Sequence, residues 1–252
     1  MKRARVAYKG QIHEAVYKEG YLALPDGCLV SEQDVVWLPP IVPNTVFALG
    51  LNYADHAMEL DFKPPSEPLI FLKGPNTFIG NRGNTIRPDN VSFMHYECEL
   101  AAVIGRQGKN IKACDAYNYV SGYTIANDYA VRDYLENYYR PNLIVKNRDT
   151  CTPLGPWIVD AMDIENPENL TLRTYVNGAV TQEGSTKDMI FGIPALIEYL
   201  SSFMTLNCGD LILTGTPKGS VDTKAGDEVI CEIEGIGKLL NTIVKEKEIA
   251  GH

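Results

Sequence analysis

Two carboxylates, Glu97 and Glu99, stand at alternate positions of one short segment. In an extended strand alternate side chains point to the same face, so these two carboxylates are predicted to lie side by side. The apolar run at residues 100–104 follows them directly and indicates a buried strand, which places the acidic pair at the mouth of a core. Two carboxylates this close together raise each other's pKa unless a cation neutralises their charge.

A third carboxylate, Asp128, follows a second strand-like run at residues 123–126. If the two runs pair as neighbouring strands, three carboxylates meet at one end of the sheet. Three hard oxygen donors with open positions are typical of a Mg²⁺ or Mn²⁺ site. The alternative is that Glu97 and Glu99 are the solvated face of an edge strand, which needs no metal.

Three basic residues are candidates to act beside the carboxylates. Arg132 stands four residues after Asp128 in a helix predicted over residues 131–139, so it is placed to reach the same side. Lys146 follows further along the chain. Lys73 ends a strongly apolar strand, where its side chain either snorkels to solvent or serves as a carboxylate clamp or proton donor.

A His/Glu pair and a Gly-rich segment add two further candidates. His56 and Glu59 lie one helical turn apart, a spacing at which the carboxylate can hold the imidazole tautomer and raise its basicity, as a general base requires. The same spacing also occurs in ordinary surface contacts. The segment 214–219 lacks the ending of a phosphate-binding loop, which disfavours nucleotide binding; it predicts instead a tight turn that presents Thr216 to a ligand carboxylate.

Composition places the chain among globular proteins without nucleic-acid or membrane partners. Its 252 residues are 45% hydrophobic and 22% charged, and no apolar run approaches the length of a membrane span. The net charge of −9 opposes binding to nucleic acid and to anionic membrane surfaces. The basic start has no apolar stretch behind it, which predicts a cytoplasmic protein without a secretory signal. Six cysteines without C-x-x-C spacing predict reduced, mostly buried thiols.

Turn residues and apolar runs divide the chain into two predicted parts. Residues 1–43 form a small N-terminal hairpin region that ends at a proline-rich linker. Residues 44–252 form the main body, with short strands and few helices. Within it, Asn177-Gly178 predicts a hairpin, because both residues tolerate positive φ. An apolar stripe at helical spacing predicts a core-facing helix from Ile193 to Met204.

Five segments, in this order, resemble motifs of the fumarylacetoacetate hydrolase family. They are Gly50-Leu51-Asn52-Tyr53-Ala54-Asp55-His56, the apolar run ending at Lys73, Glu97-x-Glu99, Asn127 to Asp133, and Thr214 to Gly219. Five ordered motifs are far more specific than any one of them. The resemblance implies an α+β, strand-rich fold with mixed β-sheets that form a β-roll, few helices, and a catalytic domain over residues 44–252.

The resemblance also implies a role for each residue already singled out, and for Tyr134, two residues after Arg132. The implied ion is Mg²⁺, with Mn²⁺ or Ca²⁺ as alternatives. The metal ligands are Glu97, Glu99 and Asp128; the substrate contacts are Arg132, Tyr134 and Thr216; and the residues for proton transfer and charge stabilisation are His56, Glu59, Lys73 and Lys146.

Residues 132–143 resemble, more narrowly, the decarboxylase and isomerase branch of that family. This implies Mg²⁺-dependent loss of CO2, or a double-bond shift, on small anionic 2-oxo or 2-hydroxy dienoate acids from opened catechol rings. Bifunctional members contain two such domains and this chain has one, which implies a homodimer, a higher homo-oligomer, or pairing with an N-terminal-type subunit. Two alternatives stay open: acylpyruvate hydrolysis, because the same metal and His/Glu pair can activate water, and a non-catalytic structural subunit.

Overall fold

Strands dominate the computed structural model of the chain, which describes residues 1–59, 63, 65–135 and 143–249. The side chains at positions 56, 57 and 249 lie outside that description. Within the described residues the strands are, in chain order, β1 (Lys2–Tyr8), β2 (Gln11–Lys18), β3 (Tyr21–Ala23), β4 (Leu29–Ser31), β5 (Val36–Leu38), β6 (Val46–Gly50), β7 (Leu69–Leu72), β8 (Phe78–Ile79), β9 (Gly83–Arg87), β10 (Met94–His95), β11 (Cys98–Ile104), β12 (Val120–Asn127), β13 (Ala130–Val131), β14 (Thr152–Asp160), β15 (Thr171–Val176), β16 (Ala179–Ser185), β17 (Leu211–Leu213), β18 (Glu228–Ile233) and β19 (Gly237–Lys245). The α-helices are α1 (Ala54–Glu59), α2 (Leu143–Lys146), α3 (Ile193–Phe203) and α4 (Glu246–Ile249).

Most strands belong to one large mixed sheet. Its order within the described residues is β4-β3-β2-β1-β14-β12-β11-β17-β6-β7, with β5 paired to β1 and β8 to β14. The β17–β6 and β14–β8 pairs are parallel. A second mixed sheet has the order β16-β15-β18-β19-β9, and β10 pairs with β13 in a short ladder. The predicted strand-rich fold with mixed sheets and few helices is confirmed.

Strand β11 lies in the interior of the large sheet, between β12 and β17. Leu100 and Ile104 pack on one face in a cluster that includes residues of α3, whereas Ala101 and Val103 pack in a separate cluster. Both faces are therefore covered, which explains why this strand is apolar throughout rather than alternating. Glu99 shares the face of Ala101, so the acidic residues begin where that apolar face ends.

Helix α3 supplies the apolar stripe that the sequence predicted. Ile193, Leu196, Ile197 and Leu200 are all buried in the cluster that covers β11. The helix ends at Phe203, one residue before the predicted end. The predicted core-facing role is confirmed.

The predicted hairpins form through two-residue turns with positive φ at both positions, the geometry that matches strand twist. The turns are Lys9-Gly10 (48° and 77°), Glu19-Gly20 (47° and 90°) and Asn177-Gly178 (50° and 82°). The first two build the N-terminal hairpins. These hairpins join the large sheet, because β1 pairs with β14. The division of the chain at residue 43 stays a prediction.

The helix predicted over residues 131–139 is wrong at its beginning. Val131 ends β13, and Arg132–Tyr134 form one 3₁₀ turn. The carboxylate of Asp133 accepts hydrogen bonds from the Ser92 and Phe93 amides at 2.7 and 2.8 Å, which ties this turn to the segment before β10. Positions 136–142, the rest of the predicted helix, lie outside the described residues.

Two sequence-based expectations about the whole chain have structural counterparts. Among the described helices, none has the length and apolar character needed to span a membrane. All six cysteines are free thiols, but Cys28, Cys114 and Cys208 are exposed, so the expectation that most are buried is wrong.

Candidate functional site

Three carboxylates meet where β11 and β12 lie side by side. Glu97 immediately precedes β11, Glu99 lies within it, and Asp128 directly follows β12. One oxygen atom from each carboxylate lies within 4.8 Å of the other two, and all three residues are buried. The Asp128 amide donates to the Glu97 carbonyl at 2.9 Å, so pairing continues past the end of the strands. Strand alternation and strand pairing together therefore assemble the predicted acidic cluster.

Two buried lysines hold Asp128 between them. Lys73 Nζ lies 2.6 Å from Asp128 Oδ1, and Lys146 Nζ lies 2.9 Å from Asp128 Oδ2. Lys146 Nζ is also 2.7 Å from Glu97 Oε2. Lys73 follows β7, and its side chain is 0% exposed, so the snorkelling interpretation is wrong. Its ammonium additionally donates to the Lys146 carbonyl, which fixes the two lysines relative to each other.

The electrostatics of Lys146 follow from its neighbours. Burial alone would lower its pKa, because a charged ammonium loses hydration. The negative charges of Asp128, Glu97 and Glu99 outweigh that effect and raise the pKa of Lys146. The ammonium is therefore positively charged at neutral pH and partly compensates the cluster.

Glu99 is the least compensated of the three carboxylates. Its Oε2 accepts a hydrogen bond from the Gly215 amide at 2.7 Å, whereas its buried Oε1 has no hydrogen-bond partner among the described residues. Burial, followed by the charges of Asp128 and Glu97, raises the pKa of Glu99 well above its usual value. Because Glu99 is 0% exposed on an interior strand, the solvated-edge interpretation is wrong.

This donor set fits a hard divalent cation. Three carboxylates face two lysine ammonium groups, so the cluster lacks positive charge. An unpartnered buried carboxylate oxygen, Glu99 Oε1, belongs to the same cluster. A buried charge without a partner costs free energy, and oxygen ligands are those that Mg²⁺, Mn²⁺ and Ca²⁺ select.

Arg132 connects to the cluster through a buried histidine. Its Nε donates to His95 Nε2 at 2.8 Å, and His95 Nε2 lies 3.8 Å from Glu97 Oε1. The other ring nitrogen, Nδ1, lies 3.1 Å from the Tyr96 carbonyl, an acceptor. These contacts assign the neutral Nδ1–H tautomer, because Nε2 must accept from the guanidinium while Nδ1 donates.

Tyr134 lies at the end of the same 3₁₀ turn as Arg132. Its half-buried ring packs against a third apolar cluster, and the Arg148 guanidinium carbon lies 5.9 Å from the ring centroid. The structure thus places Tyr134 and Arg132 on the same turn, which follows β13. Its predicted substrate contact stays a prediction.

Helix α1 carries the predicted His/Glu pair. The Gly219 amide donates to both carboxylate oxygens of Glu59, at 3.1 and 3.3 Å. This contact joins α1 to the segment that follows β17, across 160 positions of sequence. The backbone of His56 belongs to α1, but its side chain lies outside the described residues.

Thr216 lies on that segment, next to the acidic cluster. Gly215 has a φ of 86°, and its amide donates a hydrogen bond to Glu99. Thr216 therefore directly follows a residue that contacts the acidic cluster. Thr216 is 2% exposed, and its Oγ1 accepts a hydrogen bond from Gln182 Nε2 at 3.0 Å. The segment follows β17, as predicted, but residues 214–217 form no tight turn and the chain bends at Lys218. The ligand contact of Thr216 stays a prediction.

Two residues at this site had no predicted role. His95 is fully buried beside Glu97, and strand alternation offered the signal, since positions 95, 97 and 99 share one face. Gln182 lies on β16 and reaches Thr216 from a different sheet. Only the three-dimensional packing of β16 on the 214–219 segment reveals it.

Comparisons with known proteins identify the family of the chain. Residues 45–244 match the model of the fumarylacetoacetate (FAA) hydrolase C-terminal family. The chain is 54% identical over 250 residues to the 4-hydroxyphenylacetate degradation bifunctional isomerase/decarboxylase of Escherichia coli. The match covers 97% of this chain and 58% of that relative, so the chain spans little more than half its length.

Two solved structures share the fold over nearly the whole chain. The 5-carboxymethyl-2-hydroxymuconate delta-isomerase from Mycobacterium smegmatis is 37% identical, with a TM-score of 0.87 and coverage of 98% of this chain and 99% of that one. The maleylpyruvate hydrolase from Sphingobium sp. SYK-6, in complex with manganese(II) ion and pyruvate, is 25% identical, with a TM-score of 0.83 and coverage of 97% and 99%.

Proposed function

The chain belongs to the fumarylacetoacetate hydrolase family, and from its buried acidic site we propose that it is a Mg²⁺-dependent decarboxylase and isomerase of 2-oxo and 2-hydroxy dienoate acids. The proposed substrates are 5-oxopent-3-ene-1,2,5-tricarboxylate and 2-hydroxyhepta-2,4-diene-1,7-dioate, in the degradation of 4-hydroxyphenylacetate. Support comes from 54% identity to an isomerase/decarboxylase of that pathway.

One observation carries the proposal. Glu97, Glu99 and Asp128 converge within 4.8 Å, and Glu99 Oε1 has no partner there among the described residues. Such a cluster is costly for a protein that binds no cation, because buried like charges repel and lack hydration. It is the arrangement expected of a ligand set whose ion completes the site.

The residues that would hold the ion are these same three carboxylates. When bound, a divalent cation acts as a Lewis acid that polarises the 2-oxo group and stabilises negative charge developing on its oxygen. Thr216 directly follows Gly215, whose amide contacts Glu99. We propose that the Thr216 hydroxyl donates a hydrogen bond to the substrate carboxylate. That contact would fix which end of the substrate enters the site.

The basic residues would stabilise charge and orient the substrate. Lys146 holds Glu97 and Asp128 in place, and its ammonium adds positive potential where an enolate forms. Arg132, oriented by the neutral His95, would bind a second substrate carboxylate. Two carboxylates at opposite ends of a dienoate would then each have a cationic or hydrogen-bonding partner.

The candidates for proton transfer are His56, on helix α1, and Lys73. We propose that His56, with Glu59 one turn away, moves the proton between substrate carbons. Glu59 already docks on Gly219, so α1 lies against the segment that carries Thr216. Lys73 is the alternative donor, since its buried ammonium touches Asp128 at 2.6 Å.

A second reaction has a specific supporting observation. A maleylpyruvate hydrolase shares this fold at a TM-score of 0.83 and binds manganese(II) and pyruvate. Hydrolysis of an acylpyruvate such as fumarylpyruvate would use the same carboxylates, with water as the nucleophile. The products separate the two reactions, because hydrolysis yields pyruvate and a carboxylic acid instead of CO2.

Assembly is also a proposal. The chain spans 58% of its bifunctional relative, which leaves room in that relative for a further domain. We propose that this chain forms a homodimer or higher homo-oligomer, or pairs with an N-terminal-type subunit.

Product analysis tests the proposed function. The protein is incubated with Mg²⁺ and either the tricarboxylate or an acylpyruvate, with EDTA in parallel samples. CO2, the isomerised product and pyruvate are then quantified. CO2 release that EDTA abolishes is the expected result. Pyruvate release from an acylpyruvate, with no CO2 from the tricarboxylate, would favour the hydrolase. Inactivity on both substrates would revive the structural-subunit alternative.

A further inference from the structure

The side-chain amide of Gln182 makes three hydrogen bonds in a buried position. Its Nε2 donates to the Pro217 carbonyl at 2.7 Å and to Thr216 Oγ1 at 3.0 Å. Its Oε1 accepts from the Thr174 hydroxyl at 2.8 Å. Gln182 is only 2% exposed, so solvent cannot replace these partners.

These contacts fix which way the amide faces. The Pro217 oxygen is a carbonyl and can only accept, so the atom facing it must be the NH2 group. The second hydrogen of that NH2 group then points at Thr216 Oγ1. Thr174 is compatible with this orientation, because its hydroxyl can donate to the amide oxygen at the opposite end.

The orientation has a consequence for the Thr216 hydroxyl. A hydroxyl has one hydrogen to donate and two lone pairs that accept. Gln182 occupies a lone pair, which leaves the hydrogen to be donated elsewhere. Thr216 is therefore prepared as a donor, the role that an anionic ligand group requires.

Strand β16 holds the whole 214–219 segment in this position. Tyr96 Oη lies 2.6 Å from Thr181 Oγ1 and 3.0 Å from the Gly219 carbonyl, which joins the far end of the segment to β16. At the near end, the Gly215 amide is held by Glu99. Thr216 lies between two fixed points, so its hydroxyl has little freedom to move.

We propose that Gln182 is a positioning residue for substrate recognition: it orients the Thr216 hydroxyl as a hydrogen-bond donor to the carboxylate of a metal-bound 2-oxo acid. This inference rests on the proposed function, because it requires the acidic cluster to bind a cation and Thr216 to face the ligand. It deepens that function by assigning the selection of an anionic group to a residue of the second sheet. Gln182 acts through Thr216 and need not touch the substrate.

A double-mutant cycle with oxalate tests the proposal. Oxalate is a stable dianion that resembles the carboxylate and oxo oxygens of a 2-oxo acid. Calorimetry measures the affinity of the protein for Mg²⁺ alone, and then for oxalate at saturating Mg²⁺, in the parent, Gln182→Met, Thr216→Val and the double variant. Removing one charge-assisted hydrogen bond is expected to weaken oxalate about tenfold in each single variant.

The double variant separates positioning from general damage. If Gln182 acts through Thr216, adding Gln182→Met to Thr216→Val weakens oxalate no further, and Mg²⁺ affinity stays within about twofold in all variants. Glu183→Gln is the matched control, since it changes the neighbouring side chain of β16, which is 58% exposed and pairs with Arg173. It is expected to leave oxalate affinity within about twofold of the parent.

Each contrary result has a distinct meaning. An undiminished effect of Gln182→Met in the Thr216→Val background, or unchanged oxalate affinity in Gln182→Met, would overturn the positioning role alone. Mg²⁺ binding without oxalate binding in the parent would overturn the carboxylate contact and leave the metal site standing. Absence of Mg²⁺ binding in the parent would overturn both this inference and the metal-dependent function.

Discussion

Among the three carboxylates of the site, Glu99 is the one whose negative charge is least compensated. It is fully buried, and one of its oxygens has no hydrogen-bond partner among the described residues. Its pKa is raised by burial and by the neighbouring Asp128 and Glu97 charges. An ionised Glu99 therefore destabilises the metal-free protein and becomes favourable only when a cation is bound.

Replacing this carboxylate by its neutral isostere should stabilise the metal-free protein and remove the stabilisation by Mg²⁺. Glu99→Gln keeps an oxygen that can accept from the Gly215 amide and removes the buried charge. At pH 8 without metal, the free energy of unfolding is expected to rise, because the variant has no buried carboxylate charge near Asp128 and Glu97. Saturating Mg²⁺ should stabilise the parent by about 3 kcal/mol at one hundred times its Kd, and should not stabilise the variant.

Urea denaturation with and without Mg²⁺ measures both effects. Glu14→Gln is the control, because that carboxylate is 73% exposed and its loss should change neither quantity by more than about 0.5 kcal/mol. Equal Mg²⁺ stabilisation of the parent and Glu99→Gln would show that Glu99 is not a metal ligand.

Lys146 should behave in the opposite way. Lys146→Met removes the ammonium that lies within 3 Å of both Glu97 and Asp128, and leaves Lys73 as the partner of Asp128. Breaking a buried ion pair in this way costs about 3 kcal/mol or more. The metal-free variant is expected to lose that much unfolding free energy at pH 7.5, and Mg²⁺ should recover part of it.

The matched control for Lys146 is a surface pair. Lys238 lies 3.5 Å from Glu232 and is 59% exposed, so Lys238→Met should cost less than about 1 kcal/mol. A Lys146→Met protein as stable as the parent without metal would contradict the proposed balance of charges.

At the residue scale, local patterns predicted the acidic cluster but not all of its partners. The alternation of Glu97 and Glu99 and the placement of Asp128 after a strand located the three carboxylates. The same alternation included His95, whose role became visible only when its Nε2 was found 2.8 Å from Arg132 Nε. Burial of Lys73 also depended on tertiary contacts, since a lysine that ends a strand usually reaches solvent.

At the scale of elements, the segment after β17 links three parts of the site. Its Gly215 amide binds Glu99, its Thr216 binds Gln182, and its Gly219 amide binds Glu59. These partners come from β11, β16 and α1. The conformation of this segment should therefore control the acidic cluster as well as the ligand contact.

Two glycines with similar φ allow this control to be tested. Gly215 has a φ of 86°, and a Cβ there would lie 3.0 Å from the Asn52 Cβ; Gly178 has a φ of 82° and open space around it. Gly→Ala at either position should destabilise the protein by about 1 kcal/mol, because alanine is strained at positive φ. Calorimetry should show at least tenfold weaker Mg²⁺ binding for Gly215→Ala and no change for Gly178→Ala. Equal Mg²⁺ affinities would show that the segment does not position Glu99.

Elements with strong local signals were predicted correctly. The Asn177-Gly178 hairpin and the helix beginning at Ile193 follow from turn chemistry and apolar spacing. The helix expected from Val131 was wrong, because the Asp133 carboxylate caps the Ser92 and Phe93 amides instead of facing a helical turn. That interaction joins residues 41 positions apart and has no local signature.

At the scale of the whole molecule, the pKa of Glu99 predicts how stability depends on pH. Because the folded-state pKa lies above the usual 4.5, the folded protein binds more protons at Glu99 than the unfolded chain does. The contribution of Glu99 to stability is therefore present at low pH and is lost as pH rises through the raised pKa. The unfolding free energy of Glu99→Gln minus that of the parent should increase with pH above about 4.5, without metal.

Denaturation of both proteins from pH 5 to pH 9 measures that difference. Saturating Mg²⁺ should reverse its sign, because the ion binds the ionised carboxylate and its binding releases the proton. A difference that stays constant across this range would contradict the raised pKa of Glu99.

The sequence predicted the fold class of the whole molecule, but not which distant segments of the chain contact each other. Strand content, mixed sheets and the family followed from patterns and motifs. The approach of Gly215 to Glu99, separated by 116 positions, continues the antiparallel pairing of β17 with β11. The approach of Gly219 to Glu59, separated by 160, joins the segments that follow the parallel strands β17 and β6. No local pattern specifies such contacts, because they arise only when the sheet is assembled.

The most direct test of the central claim is CO2 release from 5-oxopent-3-ene-1,2,5-tricarboxylate, measured against Mg²⁺ concentration for the parent and for Glu99→Gln. The proposed function predicts release that saturates with Mg²⁺ in the parent, stops with EDTA, and is at least one-hundred-fold slower in Glu99→Gln, since the variant loses a metal ligand. Release that resists EDTA, or that proceeds equally fast in both proteins, would contradict a metal-dependent reaction at this acidic cluster.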